Sequence, residues 1–268
     1  MNDLSLDKKE KPVASEPINF GFIPDEIKPE DHQFGSASAD YASKEVLNDT
    51  GDWFSWLPVE EHQAFTTETQ GCVSFGTLNI IEILLRKQYG EQINFSDRFL
   101  AKVSGTTKNG NAPGKVGEYL RKLGAPLQSK WDYTQDINTW EKFYEDIPAK
   151  VYEEARKDFL DKYEFKHYIV PPTKEAIKDA LRFSPVGLSV AAWAKNSEGV
   201  YYQFGNDNHW TLCFNERQVY DIFDSYDDYT KEYSLDATPA IAKGYYIKKK
   251  ESVGRKWTLF DKLLWYWK

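Results

Sequence analysis

The sequence predicts an α+β fold, with helices in the first half of the chain and strands in the second. Three observations predict it. A long apolar run after Cys72 repeats at helical spacing and stops at Gly90. Residues 139–162 and 174–183 repeat at the same spacing. After Pro185 the chain turns to short β-branched and aromatic runs, VGLSVAAW, GVYYQF, HWTLCF, QVYDIF and GYYIKK, with turn residues between them. Helices first and strands later point to a helical lobe and an antiparallel β-rich lobe.

Residues 1–54 form an extended N-terminal segment. Pro12, Pro17, Pro24 and Pro29 punctuate it, and its first 18 residues read as a mobile tail. Beyond them Phe20, Phe22, Ile23, Phe34, Trp53, Phe54 and Trp56 call for burial, so this part should lie on the domain. The domain proper is residues 55–268, with a helical lobe over about 55–165 and a β-rich lobe over about 166–268. The helix after Cys72 is apolar nearly all round, which places it inside a lobe. Ser96 and Asp97 can cap a short helix through Val103. TTKNGNAPG is a loop, and the helix from about Lys115 should end at Gly124. Residues 139–162 carry Trp140, Phe143, Tyr144, Val151, Tyr152 and Phe159 on one face. Thr173 caps the last helix.

Composition removes several functions. Two cysteines in 268 residues exclude a disulfide scaffold and a four-thiolate zinc site. A net charge of −8 without a Lys/Arg run speaks against nucleic acid. No stretch has the length of a membrane span, and the N-terminus has no apolar core of a signal peptide. These features fit a cytoplasmic or virion-associated protein in a reducing setting.

Cys72 is the first candidate nucleophile. It opens the buried helix, where the helix dipole and free N–H groups favour a thiolate. A small core residue would occupy the same position, so position alone leaves both readings open. HWTLCFN and QVYDIFD flank Glu216-Arg217. A two-residue hairpin there would set His209 opposite Asp224, with Cβ atoms roughly 4.5–5.5 Å apart. That is the reach a carboxylate needs to orient an imidazole beside a nucleophile. Cys213 lies four residues along the strand from His209 and reads as core. His32 and His62 lie in the extended N-terminal part, and His167 reads as surface or structural.

The sequence resembles the papain-like cysteine peptidases, over roughly residues 55–248. CVSFGTLNIIE is similar to the family's C-W-A-F-S helix opening, with Glu82 ten residues after the cysteine. FSDRFL is similar to L-S-E-Q-x-L, and NGNAP followed by YLRKLG to the N-G-G-x-P loop and its helix. SPVGLSV, Asn208-His209-Trp210 and FDSY are similar to G-P-V-S-V, N-H-A and K-N-S-W. The order of the six pieces is the family's order. The resemblance implies a two-lobed fold with the active site in the cleft between the lobes. It implies Cys72 as nucleophile, His209 as general base and acid, and Asp224 where an asparagine is usual. No metal or organic cofactor is required, and the partner is a peptide or protein substrate.

The departures are specific. The oxyanion-hole glutamine usually stands six residues before the cysteine, where this chain has Thr66. Gln63 and Gln70 are the candidates, and Gln63 is preferred, with Gln70 a solvent-facing loop residue. Val73 replaces the tryptophan after the nucleophile, and Tyr226 the tryptophan that shields the triad. The glycine that pairs with substrate backbone falls on Asn111, beside Gly110; asparagine tolerates a positive φ there. Asn208 precedes the histidine at the substrate cleft. Pro113 and Gly114 border the pocket for the second residue on the acyl side. The lost structural cysteines and the short N-terminal segment suggest a divergent microbial or phage-type member. Two rival readings stand beside the endopeptidase. One is a transglutaminase-like acyl transferase or cell-wall amidase with the same triad. The other is a non-catalytic papain-like structural or binding module.

Overall fold

The computed structural model describes residues 19–28, 31–39 and 45–251. The predicted tail, residues 1–18, lies outside them. Helix α1 spans Cys72–Tyr89, and every residue from Cys72 to Leu85 is buried. Its all-round apolar surface therefore has the surroundings it requires. Gly90 ends it in a left-handed conformation. Helix α2, Asp97–Val103, is capped by Ser96, whose side chain accepts from Phe99 N–H. Helix α3, Pro113–Leu123, begins with proline in its first turn, two residues earlier than the spacing suggests.

The stretch 139–162 is not one helix. It breaks into α4, Trp140–Phe143, then α5, Ala149–Ala155, then a π turn, Arg156–Leu160. Pro148 is the reason, since it denies a helix the N–H it would need there. Helix α6 covers Lys174–Ala180, with Thr173 as its cap.

Among the described residues eight strands form one sheet: β1 Tyr163–Val170, β2 Val186–Val190, β3 Ala194–Lys195, β4 Tyr201–Tyr202, β5 His209–Glu216, β6 Val219–Phe223, β7 Thr230–Ser234 and β8 Ala242–Lys249. Their order is β1-β8-β2-β5-β6-β7-β4-β3. Pairing is antiparallel except where β4 meets β7. The sheet and the helices make the α+β fold that the sequence predicts. Strands β3 and β7 lie outside the runs that the sequence reading named, and so does β1, where Glu164, Lys166 and His167 mask the alternation. Strand β1 pairs with β8 along its full length.

Helix α1 packs on the centre of the sheet, and the Trp210 indole sits at that junction. A Cβ on Gly76 would meet Trp210 Cδ1 at 2.8 Å, and one on Gly187 would meet Cζ2 at 2.3 Å. Glycine on both walls makes the space for the ring. The N-terminal segment runs along the outside of this body. Trp53 is buried and donates from Nε1 to Leu181 O. Phe22 is buried too, whereas Ile23 and Phe54 stay exposed, contrary to the sequence reading.

A second internal feature is acidic. Glu61, Glu82 and Asp97 meet where α1, α2 and the segment after Leu57 converge. Glu82 accepts from Phe95 N–H and Glu61 from Asn94 Nδ2. Both Asp97 carboxyl oxygens are buried, and the Glu61 carboxyl is within hydrogen-bonding reach of Asp97 when one of the two carries a proton. Burial raises the pKa of all three above the ordinary range, and for Glu82 and Asp97 the neighbouring carboxyls add to the rise.

Candidate active site

Cys72 is the first residue of α1, and its thiol is buried. Burial pushes the thiol well above its ordinary pKa. Hydrogen bonds from the main chain of Trp210 and Val73 pull the other way, while the Asp224 and Glu68 carboxylates add to the rise. Trp210 follows His209 on β5, so the thiol lies beside the imidazole's own strand. Cys213 is also buried, donates to Asn215 O, and has its pKa raised by burial. It is a core residue of the sheet.

His209 and Asp224 are together, but not in the predicted register. Strand β5 runs on to Glu216, and the reversal falls on Arg217 and Gln218. Leu212 pairs with Phe223 and Cys213 with Ile222, and a bulge follows before Asn215 pairs with Asp221. Glu-Arg is a poor two-residue turn, so the chain turns later. At the His209 end the register is shifted by two residues. An even shift leaves side chains on the same face, and His209 Nε2 reaches Asp224 Oδ1 at 2.5 Å. His209 Nδ1 is buried with no hydrogen-bond partner among the described residues.

Asp224 is held on every side. Its Oδ1 also accepts from Ser225 N–H at 2.7 Å, and its Oδ2 from Lys231 Nζ at 2.9 Å. Burial raises its pKa, but the His209 charge and hydrogen bond, and then those of Lys231, outweigh burial and hold it below the ordinary value. Lys231 also donates to the carbonyls of Asp227 and Asp228. Nothing in the sequence pattern singled out Lys231, because the loop that folds it back is irregular. Tyr226 covers the pair, its ring centroid 5.4 Å from that of His209.

Gln63 is fully buried. Its Nε2 donates to Phe20 O at 3.2 Å, Glu68 Oε1 at 2.9 Å and Tyr226 Oη at 2.7 Å, and its Oε1 accepts from Ser225 Oγ. Glu68, also missed in the sequence, accepts from Tyr226 Oη as well. Gln70 has a positive φ before α1, and its Oε1 is buried without a partner among the described residues, so it is not a solvent-facing loop residue.

The remaining predicted residues line the path of the N-terminal segment. Phe20 N–H donates to Asn208 O, and the Phe20 ring lies edge-on to His209 at 5.6 Å. Asn111 N–H donates to Gly21 O at 3.0 Å, and Ile23 N–H to Asn111 O at 2.9 Å, in a parallel bridge. The positive φ of this loop falls on Gly110, so Asn111 does not need one. Phe22 stacks on Trp210. Gly21 has φ +110°, and a Cβ there would meet Gln70 O at 2.4 Å. Pro113 opens α3, where Gly114 N–H donates to the Asp25 carboxylate. The segment thus runs from His209 past Asn111 to α3, through the predicted cleft. No group of three His, Cys, Asp or Glu side chains among the described residues could hold a metal ion.

No family model matches the sequence, and no curated protein is similar to it. Solved structures are similar in fold. Xylellain, a cysteine protease from Xylella fastidiosa, is 15% identical with a TM-score of 0.59, covering 87% of this chain and 96% of that one. The digestive procathepsin L 3 of Tenebrio molitor is 18% identical with a TM-score of 0.56, covering 76% and 71%. The protease and lectin-like domains of a surface-layer-associated protein of Clostridium difficile give 12% and 0.62, covering 89% of this chain and 58% of that one. The fold of this chain is the papain-like cysteine protease fold.

Proposed function

We propose that the protein is a thiol endopeptidase with a Cys72–His209–Asp224 triad, held latent by its own N-terminal segment. The observation that carries this reading is a peptide carbonyl already seated at the site. Phe20 O accepts from the Gln63 amide while the Phe20 ring rests on His209. An extended polypeptide therefore fits the cleft. In the reaction His209 Nδ1 takes the thiol proton, and the thiolate attacks the substrate carbonyl. Gln63 Nε2 and the Cys72 N–H receive the oxyanion. His209 returns the proton to the leaving amine, an acyl-enzyme forms, and water releases it. Asp224 holds the ring through Nε2 and leaves Nδ1 facing the chemistry.

The test is a thiol-directed probe followed by a peptide-library digest. The probe should label Cys72 and leave Cys213 unmodified, and Cys72→Ala should abolish cleavage. Labelling that His209→Ala leaves unchanged would overturn the triad. Cross-linking or amide hydrolysis without peptide cleavage would instead favour the acyl transferase or amidase.

A further inference from the structure

The N-terminal segment ends its passage at an unusual contact. Asp25 places its carboxylate on Gly114 N–H, at 2.7 and 2.9 Å, and its Oδ2 lies 3.3 Å from Lys243 Nζ. Lys243 is a β8 residue in the interior of the sheet, paired with both Ile169 and Gly187. Its side chain is 5% exposed, and Asp25 is its carboxylate partner. Helix α3 supplies no side-chain cap of its own and has no acidic residue in its first turn. The acid that its N-terminus calls for comes from a different part of the chain.

The surroundings carry the same sign. A cavity of about 550 Å³ opens from this contact, between the segment, α3 and β1. The body contributes Lys115, Arg121, Lys166 and Lys243 to its wall, against one carboxylate, Glu118. Glu118 is itself engaged by Arg121 and His167. The segment contributes three acids, Asp25, Glu26 and Asp31, together with Lys28 and His32. A basic wall in a chain of net charge −8 is a local departure. Once the segment leaves, Lys243 would lose its carboxylate partner, and the carboxylate of another peptide fits the place of Asp25.

We infer that Lys243 and the N-terminus of α3 form a carboxylate-binding subsite, which selects a substrate Asp or Glu side chain at a fixed position from the scissile bond. Asp25 is its internal occupant. The inference rests on the peptidase reading for the word substrate; the anion site itself stands on the contacts above.

Two measurements on the full chain test it separately. In the first, a synthetic peptide copying residues 19–28 is bound to Cys72→Ala/Gly21→Val, whose own segment is displaced. The peptide with Asp at the position of Asp25 should bind at least tenfold more tightly than its Asn counterpart, and adding Lys243→Met should remove the difference. Cys72→Ala/Asp25→Asn serves as a second host should the valine variant fold poorly. Equal binding of the two peptides means that the carboxylate adds nothing at this contact, and overturns the site whatever the enzyme does. In the second, a peptide library is digested by the Gly21→Val chain with and without Lys243→Met. Acidic residues should be enriched at one fixed position from the cleaved bond, and the enrichment should vanish in the Lys243 variant. Cleavage without enrichment overturns the selectivity. An absence of cleavage counts against the peptidase, and the binding result then decides the subsite.

Discussion

Asp224 carries its charge where water barely reaches, and Lys231 makes that tolerable. The pair gives His209 a partner that orients the ring with its charge largely compensated. Lys231→Met should cost roughly 3 kcal/mol, the usual consequence of stranding a buried charge. The pH dependence has a definite sign. A carboxyl held below its ordinary pKa adds stability above the unfolded value and loses it as pH falls through the folded one. The variant should therefore unfold at a higher pH on acidification, read by circular dichroism. An unchanged acid midpoint would show that Lys231 contributes nothing to Asp224. Gln63→Ala should lower turnover by about 10²-fold or more if the amide receives the oxyanion, and Gln70→Ala should not. Cys72 and His209 were legible in the sequence because cysteine and histidine are scarce here, and Asp224 because it follows a strand that pairs with the one His209 opens. Lys231 and Glu68 were not, since each acts through an irregular loop whose path no periodicity encodes.

At the scale of elements, the segment over residues 19–25 is the working part. It crosses the cleft as bare backbone at Gly21, between Gln70 and Asn111. Gly21→Val cannot keep φ +110° or the approach to Gln70, so the segment should leave the cleft. Peptide cleavage and thiol labelling should then rise at least tenfold without added activator. A variant as slow as the parent would show that the segment does not limit access. The helices α1, α2 and α3 were readable because their stops and caps are local chemistry. Strand β1 was hidden by its charged residues, and the break at Pro148 was overridden by a persuasive aromatic spacing. The β5–β6 register was misplaced by two residues, yet the face survived, because strand side chains alternate with period two.

At the scale of the molecule, the carboxyl trio ties global stability to pH. Glu61, Glu82 and Asp97 have pKa values raised by burial. Their neutral forms favour the fold below the ordinary carboxyl range, and that contribution is lost as pH rises towards the folded values. Asp97→Asn should therefore stabilise the protein at pH 8, by about 1–2 kcal/mol, and by less at pH 5. Thermal melts at the two pH values decide it, and equal shifts would refute the linkage. The overall architecture was legible because helix and strand runs occupy different halves of the chain. The trio was legible only as separate residues, since Glu61 and Asp97 meet through tertiary packing.

The tether of Asp25 and Phe20 to the body has a kinetic consequence. Occupant and cleft belong to one chain, so occupancy does not change on dilution. Opening is a first-order event with the same half-time at nanomolar and at micromolar protein. An occupant linked to its own site is presented at an effective concentration on the order of millimolar. A free peptide must exceed that local supply, or wait for a spontaneous excursion of the segment, before it meets the thiol.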